Sequence, residues 1–283
     1  MPLTIATWNI NSVRLRIASV LRFLRAEAPD ILCLQEIKTT EDAFPGLELA
    51  SLGYVHQAVR GQAGYHGVAT LSRVPFRKTW SEGFCERGHA RHVAVLLESG
   101  LELHNVYVPA GGDIPDPKKN DKFAHKLGFL RRMSAHFEKM RGKRNALRVL
   151  VGDLNIAPLE HDVWSHKQLL KVVSHTPVEV EHLNALKASH DFLDVTRHLV
   201  PEPQKIYSWW SYRAHDWEAS DRGRRLDHIW LAPALKDGLV STDIRKSVRG
   251  WARASDHAPV IATLEVPGAS RKAPGIVGSP RLC

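Results

Sequence analysis

Short apolar runs, rich in β-branched residues, recur along the chain at 3–8, 31–34, 68–71, 93–97, 101–108, 149–151, 229–231 and 260–264. Most are bounded by Gly, Pro, Asn or Asp, which is the pattern of buried strands. Two segments change period. Ile17, Val20, Leu21 and Leu24 share one helical face while Arg16, Arg22 and Arg25 project elsewhere. Phe123, Leu127, Leu130, Met133 and Phe137 recur at helical spacing behind Asp121, the expected N-cap. Connections of hairpin length alternate with longer ones that hold helices, so the pattern predicts mixed sheets covered by helices in an α/β layered domain. No internal repeat and no linker interrupts residues 1–266. From residue 267 to 283 the composition shifts to Pro, Gly, Ser, Arg and Lys, and this basic tail is expected to be disordered.

The chain has 283 residues, of which 43% are hydrophobic, enough to fill one large core. Lys and Arg exceed Asp and Glu by 39 to 30, a net charge of +9. Such a field attracts polyanions, and nucleic acid is the first partner to consider, although a basic balance also serves solubility. The tail could then be a basic arm on the same partner. Cys33, Cys85 and Cys283 are widely spaced and odd in number, against a disulfide framework or a cysteine zinc site. The apolar N-terminal stretch is too short for a signal sequence, and no run approaches the roughly 20 apolar residues of a membrane span. The expectation is a soluble cytoplasmic protein with no membrane partner.

The polar residues of interest sit at the ends of apolar runs, where one rim of a sheet can collect them. Asn9 follows the first run, Glu36 the second, Asp153 and Asn155 lie in GDLN, Asp227 in RRLDHIW, and Asp256 and His257 in SDHAPV. Singly, each has a structural alternative: Asn9 could close a turn, Asp153 could cap the next segment, His257 could be a satisfied imidazole. Together they offer carboxylates and carboxamides, an oxygen-only donor set suited to Mg²⁺ or Mn²⁺. HExxH, CxxC, GxSxG, GxxxxGK[ST] and a strand-linked GxGxxG are all lacking, so zinc, acyl-transfer, nucleoside triphosphate and dinucleotide chemistries lose support. Phosphate-ester hydrolysis remains, which needs a water nucleophile, a metal and a donor to the phosphate oxygens.

The ordered series TWNINSVRLR, LQEIK, GYHGVATLSR, NVYVPAGG, GDLNIAP, YSWWSYR, RRLDHIWL and SDHAPV resembles the exodeoxyribonuclease III family of abasic-site endonucleases over nearly the whole chain. The resemblance implies a four-layer sandwich of two packed mixed β-sheets flanked by helices. It implies a Mg²⁺-dependent DNA-repair phosphodiesterase that cuts 5′ to abasic sites, with 3′→5′ exonuclease and 3′-end-trimming activity. Carried over by motif, Glu36 binds the metal with Asn9 and Asn11 beside it and Asp256 near. Asp153 orients or deprotonates the water, Asn155 helps to hold it, and Tyr107 contacts the scissile phosphate. Asp227 pairs with His257, which donates to a phosphate oxygen. The chain departs from the family at Ala110, where a carboxamide is frequent, and at Arg224 and Arg225 before Leu226.

Trp209, Trp210, Tyr212 and Arg213 form an aromatic and cationic cluster, followed by Arg222, Arg224 and Arg225. Such a mixture suits an extruded sugar gripped beside its phosphates. By resemblance Trp209, Trp210 and Leu226 line the abasic pocket, though either Trp could instead be core. Arg14, Arg16, Lys118, Lys119 and Lys122 are candidate phosphate contacts, and Lys38 and Arg73 could extend a basic rim. The partner implied is double-stranded DNA with abasic sites or 3′ ends, handled by a monomer in a bacterial-type cytoplasm, in use at the nucleoid. Competing readings are a related hydrolase of RNA, a phosphorylated small molecule or a lipid, and a DNA-binding protein with a degenerate site.

Overall fold

In the first strand, β1 (Pro2–Asn9), Leu3 and Ile5 face one side and Ala6 and Trp8 the other, so the strand is apolar on both faces. Burial of both faces requires a layer on each side. The computed structural model describes residues 2–142 and 146–267 and supplies both; the expected disordered tail, from residue 268 onward, lies outside the described residues. One six-stranded sheet contains β1, β2 (Ile31–Gln35), β3 (His56–Arg60), β4 (Val68–Ser72), β13 (Leu239–Ile244) and β14 (Val260–Glu265), in the order β13-β14-β1-β2-β4-β3. The other contains β5 (Phe76–Trp80), β6 (His92–Leu97), β7 (Glu102–Tyr107), β8 (Arg148–Asp153), β9 (Leu193–Asp194) and β12 (Asp227–Leu231), in the order β5-β6-β7-β8-β12-β9. A two-stranded ribbon, β10 (Trp209–Trp210) with β11 (Gly223–Arg224), stands apart. Each large sheet is mixed: β1 runs parallel to β2 and β7 to β8, while the remaining pairs are antiparallel.

The helices are α1 (Ile17–Glu27), α2 (Gly46–Ala50), α3 (Asp121–Met140), α4 (His166–Leu169), α5 (Pro177–Ser189), α6 (Val195–Leu199) and α7 (Trp217–Ser220). Phe23 and Leu24 of α1 pack on the outer face of the first sheet against Trp8, Leu32, Leu34 and Leu71. Phe129, Met133 and Phe137 of α3, with Leu183 and Leu186 of α5, pack on the outer face of the second against Val106, Leu150 and Trp230. Between the sheets Ile5, Ile31, Val95, Leu103, Val151, Ile229 and Ala262 form the central core. The architecture is the expected four-layer α/β sandwich. Two details differ from the sequence reading. Asn120 rather than Asp121 caps α3, because its side chain accepts the Lys122 N–H. The edge strands β3, β5 and β13, half exposed, escaped notice because their outward faces are polar.

Behind β12 lies a cluster of buried charge. Arg225, 0% exposed, donates to Asp162 at 2.8 Å and to Asp194 at 2.9 Å, and Arg197 adds a 2.6 Å bond to Asp162. His228 accepts from Arg225 through Nδ1 at 3.1 Å and donates from Nε2 to Ile156 O at 2.9 Å. Burial, together with the Arg225 charge, lowers its pKa from 6.5 to about 4. The unfolded chain therefore takes up this proton first as pH falls. Stability from His228 is complete above about 6.5 and is lost between about 6.5 and 4. The His228→Asn protein should lose less melting temperature between pH 7.5 and 5.5 than the wild type; an equal loss in thermal melts would show that this imidazole does not set the dependence.

Candidate active site

Strand alternation decides which side chains meet. On β1, Thr7 and Asn9 continue the inner row of Leu3 and Ile5; on β2, Gln35 follows Ile31 and Cys33; on β8, Asp153 follows Val149 and Val151; on β12, Asp227 leads Ile229 and Leu231. Register then aligns the rows. Asn9 pairs with Gln35, and Asp153 pairs with both Tyr107 and Asp227. At this end of the sandwich the inner rows of both sheets change from apolar to polar.

The change comes in two steps. Beneath the site Gln35 donates to Thr7 Oγ1 at 2.9 Å and to Asn105 Oδ1 at 2.7 Å, while Asn105 Nδ2 donates to Leu34 O and Ala69 O. These side chains, all 0% exposed, are buried polar groups inside strands, a layer the sequence reading did not anticipate. Above it lies the site. Asn9 Nδ2 donates to Glu36 Oε1 at 3.0 Å and to Asp153 Oδ2 at 2.9 Å, joining one sheet to the other. Tyr107 donates its hydroxyl to Glu36 Oε1 at 2.6 Å, and Lys38 lies 2.9 Å from Glu36 Oε2. Asn155 donates to Asp153 through its backbone at 2.9 Å and its side chain at 3.0 Å. Glu36 and Asn155 both hold left-handed backbones, with φ of 50° and 54°. Residues so placed are strained and persist only where their surroundings fix them. Gly152 has φ of 141°, and a Cβ there would fall 1.9 Å from Val106 O, so the GDLN turn requires glycine.

Across the slot, His257 Nδ1 donates to Asp227 Oδ2 at 2.8 Å, and Ser208 donates to the same oxygen at 2.6 Å. Asp227 Oδ1 is buried without a partner. His257 Nε2 stops 3.8 Å from Asp153 Oδ2, too far for a direct bond and suited to an oxygen held between them. Burial alone would lower the His257 pKa, but the charges of Asp227 and Asp153 outweigh it and raise it to about 10. Burial, reinforced by the charges of Asp227 and Glu36, raises Asp153 to about 7 against the pull of His257 and Asn9. Burial would raise Glu36 also; the Lys38 charge and the bonds from Asn9 and Tyr107 instead hold it at about 2. Asp153, Asp227 and His257 lie close enough together to hold an ion. The expected ligands lie apart from that trio: Glu36 and Asn9 are joined at 3.0 Å, and Asp256 is held by Asn11 and Trp209. The ammonium of Lys38 on Glu36 marks that carboxylate as a place for a cation.

The remaining expectations divide. Asn11 donates to Asp256 Oδ1 at 3.2 Å, and Trp209 Nε1 donates to Asp256 Oδ2 at 2.9 Å, so Asn11, Asp256 and Trp209 border the site. Trp209 and Leu226 share an apolar cluster with Ala157, Val163, Leu169 and Trp164, the last of which the sequence reading overlooked. Trp210, 2% exposed, packs with Tyr207 and Ala258 in a different cluster, since neighbours on a strand face opposite sides. It does not lie with Trp209 and Leu226. Arg14 and Lys122 are exposed, Lys122 on the first turn of α3. Arg16 is 8% exposed and bonds to Arg253 O and the Tyr212 hydroxyl, so it ties loops together. Arg73 stacks on Tyr54 beyond Ser72, the end of β4 that pairs with Ile31 and not with Gln35; it lies at the far end of the sandwich from Glu36. Arg91 was missed: it lies 4.7 Å from the Tyr107 ring centroid and donates to Tyr107 O at 3.3 Å. Its signal is an arginine at the mouth of an apolar run. In protein free of divalent ions, Asp227→Asn should move the His257 titration down by at least about two units, one unit being roughly 1.4 kcal/mol of lost interaction; an unmoved titration by NMR would remove Asp227 as the cause of the imidazolium.

Residues 6–257 match the model of the Endonuclease/Exonuclease/phosphatase family. The chain is 31% identical to Exodeoxyribonuclease III of Haemophilus influenzae, over 90% of this chain and 97% of that protein. It is 30% identical to DNA repair nuclease APEX1 of Danio rerio, over 93% and 82% of the two. Among solved structures, an AP endonuclease from Archaeoglobus fulgidus superposes with a TM-score of 0.87 at 30% identity, covering 93% of this chain and all of that one. A 3′ phosphatase from Neisseria bound to a product DNA hairpin superposes with a TM-score of 0.85 at 29% identity, over 93% and 99%. The fold, the ordered motifs and these likenesses agree: the chain belongs to the endonuclease/exonuclease/phosphatase family, in its exodeoxyribonuclease III branch.

Proposed function

We propose that this chain is a DNA-repair phosphodiesterase, dependent on Mg²⁺ with Mn²⁺ as a substitute, that cuts the backbone 5′ to abasic sites and trims 3′ ends. The observation that carries the reading is the 3.8 Å slot between the imidazolium of His257 and the carboxylate of Asp153. It sets a proton acceptor opposite a charged donor on a protein of net charge +9. Relatives named Exodeoxyribonuclease III and DNA repair nuclease, and a structural relative bound to a DNA hairpin, support DNA as the substrate.

In this reading Asp153 takes a proton from the attacking water, which its raised pKa of about 7 permits near neutrality. Asn155 fixes the orientation of Asp153. His257 donates from Nε2 to a phosphate oxygen as negative charge grows there, and Asp227 holds its tautomer. Tyr107, aligned by Arg91, presents its hydroxyl at the Glu36 side of the slot. Glu36, with Asn9 and Asp256, would hold Mg²⁺, which neutralises charge on the transferring phosphate. Trp209 and Leu226 would receive a sugar without a base, with Asn11, Arg14 and Lys122 on the DNA backbone. The chain would act as a monomer on nucleoid DNA in a bacterial-type cytoplasm; among the described residues no helix is long and apolar enough to cross a membrane.

A labelled duplex with one tetrahydrofuran abasic analogue, incubated with Mg²⁺ and again with EDTA, tests this reading beside an intact duplex. Metal-dependent incision at the analogue is expected, with slower shortening of the intact strand; no cutting of either in any divalent metal would refute it. Asp153→Asn should lower the incision rate by roughly 10³-fold, the scale of a lost general base. Its DNA affinity in a gel-shift titration should change far less, and survival of near-original cleavage would displace Asp153 from this role.

A further inference from the structure

Arg224 pairs with Trp209 across the β10–β11 ribbon, and its guanidinium lies 5.2 Å from the Trp209 ring centroid. Its Nη1 donates to Val173 O at 3.0 Å and to Ser174 Oγ at 2.7 Å, both neutral oxygens. Its Nε is shut off from solvent and has no partner. The carboxylate whose field reaches it is Glu179, which is already bonded by Lys126, Ser174 N, Thr176 N and the Thr176 hydroxyl. The adjacent Arg225 makes the contrast clear, since Asp162 and Asp194 neutralise it. Arg224 is thus a half-buried cation with no counter-ion among the described residues.

A cation in that state is costly unless something anionic meets it. Its place says what that would be. Trp209, on which Arg224 lies, forms a β-bridge with His257 and bonds to Asp256, and it shares its apolar cluster with Leu226, two residues beyond Arg224. The cluster therefore lies beside the His257 that faces the slot. The baseless sugar ring itself is neutral and gives a guanidinium nothing to bind. A carboxylate on a small remnant esterified to the scissile phosphate would accept from its fork of N–H donors.

We propose that Arg224 makes this part of the site select a carboxylate, so that 3′ termini blocked by a small carboxylate-bearing remnant are preferred to those blocked by a neutral one. The proposal rests on the phosphodiesterase reading above. The reaction itself is unchanged: water adds to phosphorus, the bond to the 3′ oxygen breaks, that oxygen takes up a proton, and the remnant departs with the phosphate.

The test uses the full chain with Mg²⁺ and two substrates of one sequence, a nicked duplex ending in 3′-phosphoglycolate and the same nicked duplex ending in the 2-hydroxyethyl ester of the 3′ phosphate, whose remnant lacks the carboxylate. The quantity read is the ratio of kcat/KM for the anionic over the neutral substrate, in which general damage to the protein cancels. Arg224→Leu should lower that ratio about tenfold, chiefly through KM, as expected for loss of one charge-assisted bond. Arg224→Lys, which keeps the charge without the fork, should fall between. A ratio unmoved by Arg224→Leu, or a wild type that cuts only the neutral analogue, would overturn this proposal and leave the nuclease reading standing. A wild type that cuts neither would overturn both.

Discussion

One carboxamide joins the carboxylates of the two sheets at the site. Asn9, 0% exposed, uses both hydrogens of its Nδ2, one on Glu36 of its own sheet and one on Asp153 of the other, while its Oδ1 accepts the backbone N–H of Asn11. Only one orientation of the amide satisfies all three bonds. Two carboxylates that would repel each other in a dry slot are thereby held by a neutral donor, without a cation buried between them. The positions of Glu36 and Asp153, and of Tyr107 and Asn155 bonded to them, follow from that joint.

Around it the charges are graded rather than cancelled. Glu36 is held at about 2, Asp153 rises to about 7 and His257 to about 10, all within one slot and all set by which neighbours each group touches. Paired groups whose environments drive their pKa values apart are the mark of acid and base roles. The support below is rigid: Lys126 donates from a fully buried site to Asn155 O at 2.9 Å and to Ala110 O at 3.2 Å, and so holds the two loops that carry Asn155 and follow Tyr107. Ala110 contributes only its backbone carbonyl, and a buried lysine anchors it.

Much of this was legible in the sequence because buried strands and strand-end polar residues both leave local signals. The runs at 3–8, 31–34 and 149–151 became β1, β2 and β8; Asn9 and Asp153 lie on the inner row, and Glu36 follows β2 directly. What stayed hidden depends on partners distant in the chain. Gln35 and Asn105 read as interruptions in apolar runs until register places them opposite each other, 70 residues apart. The separation of Trp209 from Trp210 depends on the pairing of a two-residue strand, which no periodicity over so short a span can show. Lys126 lies on the same helical face as Phe123 and Leu130, where a lysine resembles a solvated charge until Glu179 is brought against it. Arg224 and Arg225 look alike in sequence, and the positions of Asp162 and Asp194 tell them apart.

The claim at the centre of this account is that oxygens around Glu36 hold the metal, while Asp153, Asp227 and His257 form a proton-handling group that does not. Anomalous diffraction from crystals soaked in Mn²⁺ tests it directly. The account predicts a peak in contact with the Glu36 carboxylate, with the Asp227–His257 hydrogen bond intact. A peak ligated by Asp153, Asp227 and His257, with none at Glu36, would contradict it.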